Sequence, residues 1–187
     1  MLEIRWHGRG GQGVVTAARM LAAAALRDGK FFQAFPEFGP ERRGAPVQAF
    51  TRIDDKPVRV FSQITDPQVV VILDSTLIGK VPVADGLRPD GIVVANYAGS
   101  PSELKQRLGL NGQKVYTVNA TEIANRILGR PITNTPMVGA LIRTTGALSL
   151  DVVEAQLRET FAKLKGDLID RNVAALKEAY EQVKGEE

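Results

Sequence analysis

A glycine-rich loop near the start of the chain is the first feature whose residue types suggest chemistry. Residues 8–13 read Gly-Arg-Gly-Gly-Gln-Gly, and four glycines in six residues let the backbone turn sharply and let another group approach it closely. A short apolar run precedes the loop, and the Ala-rich segment 14–27 follows it. Where such a loop leads from a strand into a helix, free N–H groups and the helix dipole form an anion site. The loop therefore predicts a phosphate-bearing ligand.

Three of these glycines, Gly8, Gly10 and Gly13, fit the G-x-G-x-x-G fingerprint of dinucleotide-binding proteins. The complete fingerprint also requires an acidic residue about 20 residues further on, which holds a ribose hydroxyl. Here the predicted second strand, 31–35, reads Phe-Phe-Gln-Ala-Phe, and the first acid after it is Glu37. Because the fingerprint acid is missing, a site for a nicotinamide or flavin cofactor is less well supported. Two alternatives stay open: the loop binds another phosphate-bearing ligand, or its glycines serve only the close packing of the helix on the sheet.

A second candidate segment, residues 36–46, contains three prolines, two glycines and the run Glu41-Arg42-Arg43-Gly44. The prolines and glycines exclude a helix or a central strand and indicate an ordered or orderable loop. Paired arginines on such a loop suit fork-like recognition of phosphate or carboxylate. The alternative is salt bridging of Arg42 or Arg43 to nearby glutamates or to a partner chain.

Composition excludes several classes of site. The chain has 187 residues, no cysteine and one histidine, which excludes disulfides, cysteine nucleophiles and thiolate-held iron–sulfur clusters and argues against a zinc site. Its net charge of +3 is too small to indicate nucleic acid, although residues 1–60 hold ten Lys/Arg against six Asp/Glu, which suits an anionic ligand. The apolar stretch 20–26 is too short to span a bilayer, and no secretory signal precedes the first strand. We expect a cytoplasmic protein that contacts neither membrane nor nucleic acid.

No set of residues indicates catalysis by this chain alone. His7 stands at the end of the first predicted strand, where a structural hydrogen-bonded histidine and a catalytic one are both conceivable. No Ser/His/Asp set, carboxylate pair or metal-ligand spacing occurs elsewhere. We therefore predict no catalytic residue and no metal ligand here.

Periodicity predicts a layered α/β fold with a largely parallel sheet and a helical C-terminal third, in one domain spanning 1–187. Strands are expected at 2–6, 31–35, 69–73, 92–95 and 114–118, and a β-hairpin at 47–53 and 56–61. Helices are expected at 13–28, 103–108, 121–128, 134–145, 150–163 and 167–183.

Two long motifs together resemble one family, the gamma subunits of pyruvate:ferredoxin and related 2-oxoacid:ferredoxin oxidoreductases. They are residues 8–18, Gly-Arg-Gly-Gly-Gln-Gly-Val-Val-Thr-Ala-Ala, and residues 35–47, Phe-Pro-Glu-Phe-Gly-Pro-Glu-Arg-Arg-Gly-Ala-Pro-Val. Further matches are Asp66-Pro67, Asp74 and the run Asn134-Thr135-Pro136-Met137-Val138-Gly139-Ala140. The resemblance covers nearly the whole chain. The amino-acid sequence of residues 35–44 looks most like that of the pyruvate branch of the family.

The resemblance implies a three-layer α/β/α sandwich with a largely parallel or mixed sheet, and a non-catalytic role within a heteromeric complex. In this family, alpha and beta subunits bind thiamine pyrophosphate, iron–sulfur clusters lie on partner chains, a delta-type subunit is a further partner, and ferredoxin accepts the electrons. The complex oxidatively decarboxylates a 2-oxoacid and transfers the acyl group to coenzyme A (CoA). The gamma portion lies on the CoA side of the active site. No cofactor is expected on the isolated chain.

On that resemblance we assign the CoA-binding role to the glycine loop: Gly8 as part of the motif, and the backbone N–H groups of Gly10, Gly11, Gln12 and Gly13. Arg42 and Arg43 would contact CoA phosphates or hold their loop against the catalytic subunits. Asn134 and Thr135 would line the same cleft, although a role in capping the helix that begins there is the better explanation of both.

Two other functions stay open at this point. One is a stand-alone nicotinamide or flavin oxidoreductase, and the other is a purely structural assembly subunit. We also expect residues 36–46 to be mobile in an isolated subunit, because their charged and aromatic side chains would lack a partner surface.

Overall fold

The computed structural model describes residues 1–37, 44–164 and 166–186, which form a seven-stranded mixed sheet with helices on both faces. The strands are β1 (Leu2–Arg9), β2 (Phe31–Pro36), β3 (Pro46–Asp54), β4 (Val69–Ile72), β5 (Ile92–Asn96), β6 (Lys114–Val118) and β7 (Lys184–Gly185). The helices are α1 (Val14–Arg27), α2 (Pro101–Leu108), α3 (Ala120–Leu128), α4 (Asn134–Thr145), α5 (Leu150–Thr160) and α6 (Leu168–Gln182). Among the described residues, none of these helices combines the length and apolar character needed to cross a membrane.

The strand order is β2-β3-β1-β4-β5-β6-β7. The four central strands β1, β4, β5 and β6 are parallel, whereas β2, β3 and β7 add antiparallel edges. All four residues of β4 are buried, as expected for a strand covered on both faces. The predicted three-layer sandwich with a mixed sheet and a helical C-terminal third is confirmed.

Alternate strand residues enter two separate cores. Ile4, Trp6 and Val71 pack in a large core with the buried faces of α1 and α3 to α6. Val70 and Ile72 face the opposite side, where a smaller core contains Leu104 of α2 and apolar residues of the segment 77–87. The larger core needs more helices than the smaller one. The apolar stripes of α4, α5 and α6 cover the sheet face on that side, which explains why the C-terminal third is largely helical.

The predicted hairpin of 47–53 with 56–61 is only half correct. Residues 47–53 do lie in β3, but residues 57–61 form no strand, and β3 pairs on its two sides with β2 and β1. Both hydrogen-bonding edges of β3 are therefore occupied, so residues 56–61 have no edge to join. The Arg52 guanidinium donates to the Val60 carbonyl oxygen at 3.3 Å and holds this irregular segment near the sheet.

The carboxyl ends of β1, β4, β5 and β6 lie at one edge of the sheet. From β1 the chain passes through α1 to β2 and β3 on one side, and later returns to β4 on the other side of β1. This reversal makes the β1/β4 border the topological switch point, where α/β sheets characteristically bind ligands. The glycine loop leaves β1 at this border.

Candidate functional site

Gly8 and Gly13 allow close approach of other groups to the glycine loop. Gly8 lies in β1, and a Cβ added to it would lie 2.5 Å from a methyl carbon of Val14. Gly13 precedes α1 with φ +78°, and a Cβ there would lie 2.6 Å from Nδ2 of Asn134. The first glycine thus lets α1 pack on the sheet, and the second brings α4 against the start of α1.

The four backbone N–H groups that we assigned to an anion are not equivalent. Gly10 donates to the Ala45 carbonyl oxygen at 2.9 Å, and Gln12 donates to that of Arg9 at 3.0 Å. For Gly11 and Gly13, no acceptor is found in the part of the chain that the structure describes. The first helical bond of α1 runs from Ala17 N–H to Gly13 O, so the N–H groups of residues 14–16 also point out of the helix end. Within the described residues, the N–H groups without an acceptor are therefore those of Gly11, Gly13 and the first turn of α1.

The side chain of Gln12 fixes the loop from within. Its Oε1 accepts from the Arg9 N–H at 2.8 Å, and its Nε2 donates to the Asp74 carboxylate at 2.7 Å. The Arg9 guanidinium lies 3.3 Å from the same carboxylate and donates to Thr76 Oγ1 and to the Gly44 carbonyl oxygen. This network ties the end of β1 to the turn after β4.

Asp74 is ionised in this network. Partial burial alone would raise the pKa of the Asp74 carboxyl, but hydrogen bonds from Thr76 and Gln12 and the charge of Arg9 outweigh burial and hold the pKa below its usual value. The carboxylate therefore keeps Arg9 and Gln12 in place at neutral pH. Neither Arg9 nor Thr76 was predicted, because the contact between them joins residues 67 positions apart.

Arg42 and Arg43 lie outside the described residues, as does most of the loop expected to be mobile. The described residues that flank them are held to the sheet and to the glycine loop. Glu37 N–H donates to Gln48 O at 3.0 Å, and Gly44 N–H donates to Gly10 O at 3.0 Å. The second candidate segment thus begins and ends beside the first.

A cavity of about 250 Å³ opens beside the glycine loop, among the ends of five helices. Gly11, Gln12, Gly13 and Thr16 form its side at the start of α1. The start of α4 contributes Asn134, the start of α6 contributes Leu168 and Asn172, and the segments after α3 and α5 complete the wall. Arg130 lines it as its one charged side chain among the described residues. Its polar groups and its single positive charge favour an anionic ligand.

The three helices that begin at this cavity share the absence of a side-chain cap. Ser100, Asn119 and Ser149 cap α2, α3 and α5 by accepting from a backbone N–H of the first turn. In α1, α4 and α6 no side-chain cap is found within the described ranges. Three uncapped helix ends therefore direct their partial positive charge toward one cavity.

Asn134 and Thr135 have different surroundings. Asn134 is only 6% exposed, its Oδ1 accepts from the Thr135 N–H at 2.9 Å, and its Nδ2 has no acceptor among the described residues. Because every fully buried side-chain nitrogen or oxygen in the described part has a partner, this Nδ2 is not fully buried, and Asn134 lines the cavity. Thr135 is fully buried and donates to Asn172 Oδ1 at 3.1 Å, which ties α4 to α6. The structure thus brings Asn134, but not Thr135, to the glycine loop.

The alternative role of these two residues as helix caps is wrong. Thr133 occupies the N-cap position of α4, and Asn134 is already the first helical residue. Proline at position 136 shows why the helix starts here without a cap: proline is tolerated in the first turn, where its missing N–H would be unpaired in any case.

His7 lies on the opposite face of β1 from α1 and accepts from Arg5 Nε at 3.1 Å. Burial, and then the neighbouring Arg5 charge, lower the pKa of the His7 imidazole to about 3, so it is neutral at physiological pH. Its geometry is that of a buried, hydrogen-bonded residue. Among residues 1–37, 44–164 and 166–186, no three His, Asp or Glu side chains form a group that could hold a metal ion.

A larger cavity of about 490 Å³ lies at the carboxyl ends of β5 and β6. Its charged lining residues are Glu122, Glu181 and Lys184, so two negative charges face one positive charge. This lining suits an anionic ligand less well than that of the cavity beside the glycine loop, whose charged residue among the described ones is Arg130.

Comparison with known proteins shows the family. The model of the pyruvate ferredoxin/flavodoxin oxidoreductase family matches residues 3–182. The common subunit gamma of the pyruvate/ketoisovalerate oxidoreductases of Pyrococcus furiosus is 50% identical over 184 residues, covering 98% of both chains. Pyruvate synthase subunit PorC of Methanocaldococcus jannaschii is 51% identical over 183 residues, covering 98% of this chain and 97% of its own.

Solved structures agree with this relationship. The crystal structure of the pyruvate oxidoreductase subunit PORC of Thermotoga maritima superposes with a TM-score of 0.88 at 44% identity, covering 100% of this chain and 98% of that one. A 2-oxoglutarate:ferredoxin oxidoreductase of Magnetococcus marinus shares the fold alone, with a TM-score of 0.80 at 20% identity over 96% of this chain and 30% of its own. The predicted resemblance is thus confirmed: the chain belongs to the pyruvate ferredoxin/flavodoxin oxidoreductase family, and within it to the gamma subunits.

Proposed function

We propose that this chain forms part of the CoA site of a pyruvate:ferredoxin oxidoreductase complex. The complex would convert pyruvate and CoA to acetyl-CoA and CO₂ and pass two electrons to ferredoxin. One observation carries the proposal: the uncapped start of α1 faces a cavity that is also lined by Arg130 and Asn134. Within the described residues, the N–H groups of Gly11 and Gly13 and the Nδ2 of Asn134 have no acceptor. Such a site suits the phosphates of CoA.

The chemistry of oxidation would belong to partner subunits of the alpha, beta and delta type. The chain has no cysteine, so it offers no thiolate to an iron–sulfur cluster. Thiamine pyrophosphate, when bound by the partners, would supply the carbanion chemistry of decarboxylation. The residues of this chain would bind and orient CoA and would take no part in proton or electron transfer.

The names of the relatives support a role that does not depend on the 2-oxoacid. The Pyrococcus furiosus relative is the common subunit of pyruvate and ketoisovalerate oxidoreductases. A subunit shared by two such enzymes serves a step that both perform, and acyl transfer to CoA is such a step. We therefore infer that the partner subunits select the 2-oxoacid.

The topology counts against a stand-alone nicotinamide or flavin enzyme. In the dinucleotide-binding fold, the second strand is the parallel neighbour of the first and carries the ribose-binding acid beside the glycine loop. Here β3 lies between β1 and β2 and is antiparallel to both, so β2 is not a neighbour of β1, and β2 has no acidic residue. A ribose hydroxyl at the glycine loop would find no carboxylate on this strand.

A calorimetric titration of CoA into the reconstituted complex, with and without this chain, tests the proposed function. We expect CoA affinity to fall at least tenfold without the chain, because one or more charge-assisted phosphate contacts disappear. Pyruvate decarboxylation in the absence of CoA serves as the control that the remaining subunits are assembled. Equal CoA affinity in the two preparations would instead make this chain a structural assembly subunit.

A further inference from the structure

One half of the sheet has a helical layer on one face only. The helix α1 packs against β2 and β3 on the side of the large core. On the other side, the smaller core with α2 takes its strand residues, among those described, from β4, β5 and β6 alone. The far face of β2 and β3 therefore has only the irregular segment 56–61 near it.

Apolar side chains surround the Arg52 guanidinium on this far face. The guanidinium donates to the Val60 carbonyl oxygen at 3.3 Å, and its central carbon lies 5.8 Å from the centre of the Phe35 ring. Phe31 lies four positions before Phe35 on β2, so its side chain points to the same side of the sheet. Phe61 follows Val60 directly. We call Phe31, Phe35, Val60 and Phe61 the open face.

The open face exposes more apolar surface than an isolated protein normally leaves at a sheet edge. Phe61 is 82% exposed and Phe31 is 46% exposed. The strand β2 lies at the edge of the sheet and reads Phe-Phe-Gln-Ala-Phe-Pro, without the charged residue that usually protects such an edge. Clustered apolar side chains of this kind mark an interaction surface.

The charges around the open face indicate the kind of partner. The acidic residues next to it each form an ion pair within the chain: Glu3, Asp54 and Asp55. Lys56 and Arg59 are exposed and form no salt bridge among the described residues. A complementary surface therefore carries carboxylates beside its apolar side chains. A second copy of this chain would bring its own Lys56 and Arg59 and would meet like charges.

We propose that the open face docks a partner subunit of the oxidoreductase complex through a segment that carries apolar side chains next to carboxylates. Phe31 and Phe61 would contact the apolar side chains, and Lys56 and Arg59 would pair with the carboxylates. None of these four residues lines the cavity beside the glycine loop. The interaction surface is therefore separate from the proposed CoA site.

Phe61→Ser tests the apolar part of the surface. Binding of the full chain to the remaining, assembled subunits is measured by biolayer interferometry without CoA. We expect the Kd to rise tenfold or more, because a phenylalanine side chain is no longer removed from water on binding. The unfolding temperature of the variant chain should stay at the wild-type value, since Phe61 is exposed. Leu26→Ser, at an exposed position of α1, is the matched control and should change the Kd by no more than a factor of about two.

The double charge reversal Lys56→Glu with Arg59→Glu tests the acidic character of the partner. At low salt the association rate should fall at least tenfold, because attraction between the two surfaces becomes repulsion. The difference from wild type should shrink at high salt, where exposed charges are screened. Arg19→Glu is the control, because Arg19 is an exposed arginine of α1. It should leave the association rate near the wild-type value at both salt concentrations.

Unchanged binding of Phe61→Ser, or an unchanged association rate of the charge-reversed chain, would overturn the proposal. It would also be overturned if the isolated wild-type chain formed a dimer in light scattering that Phe61→Ser dissociates, because a second copy would then occupy the open face. These measurements contain no CoA, so the CoA titration with and without the chain decides the proposed function separately.

Discussion

Asn134→Asp should weaken CoA binding to the assembled complex by about a hundredfold or more. The substitution keeps the size and shape of the side chain but replaces the donor Nδ2, which faces the cavity, with a carboxylate oxygen. A like charge placed against a phosphate costs several kcal/mol, and each 1.4 kcal/mol is a factor of ten in affinity. The KM for CoA should rise accordingly, while CoA-independent decarboxylation of pyruvate stays near its wild-type rate.

The same substitution should leave the fold intact. Asn134 is the first residue of α4, where a carboxylate interacts favourably with the helix dipole. We therefore expect an unfolding temperature at or slightly above that of wild type. This combination, a stable chain with impaired CoA binding, separates a binding role from a purely structural one.

Asn125→Asp is the matched control for this prediction, because it introduces the same charge at an exposed position of α3 that does not line the cavity. It should leave the KM for CoA within a factor of about two. If both variants bound CoA as wild type does, Asn134 would not face the CoA phosphates.

Gly139→Ala should destabilise the isolated chain by about 3 kcal/mol or more. Gly139 lies in α4 where it crosses α6, and a Cβ there would lie 2.1 Å from the carbonyl oxygen of Leu176. Backbone atoms cannot turn away as a side chain can, so the two helices must separate. Because the clash is with backbone, we expect a cost above the about 1–3 kcal/mol that is usual for overpacking, and the gain of up to about 1 kcal/mol in helix propensity offsets only part of it.

Urea unfolding measures this effect, with Gly146→Ala as the control. Gly146 follows α4 with φ +61°, and an added Cβ there meets no atom within 4 Å. That variant should lose about 1–2 kcal/mol through backbone strain alone. Equal destabilisation by the two substitutions would contradict the close contact of α4 with α6. Since α4 carries Asn134, the contact also sets the position of the cavity.

Local signals predicted most of the elements. Helices were expected at 103–108 and 121–128, and α2 and α3 contain these ranges. The side chains of Ser100 and Asn119, residue types that favour the N-cap, accept from first-turn N–H groups of these two helices. The strand expected at 69–73 contains β4, and all four residues of β4 are buried. These predictions succeed because capping and burial depend on a few neighbouring residues.

The errors occur where distant residues decide the outcome. Residues 56–61 have suitable side chains for a strand, but β1 and β2 already occupy both edges of β3. The strand β7 is only two residues long, which is too short for a periodic pattern. Strand pairing is a non-local choice that local periodicity does not specify.

The candidate site was predictable in outline only. The glycine loop indicated an anion site beside α1, but its sequence could not show that the Gly10 N–H is occupied by Ala45. Arg130 follows Gly129 and precedes Pro131, so it is a single basic residue without a pattern around it. Only the packing of five helix ends brings it to Asn134 and the loop.

Amide hydrogen exchange of the assembled complex, with and without CoA, tests most directly whether this chain contacts CoA. The account predicts slower exchange on CoA addition at Gly11, Gly13 and the first turn of α1, whose N–H groups have no acceptor in the described part of the chain. Exchange at the capped start of α2 should be unchanged and serves as the internal reference. CoA bound at saturation, with no change in exchange at Gly11, Gly13 or residues 14–16, would contradict the account.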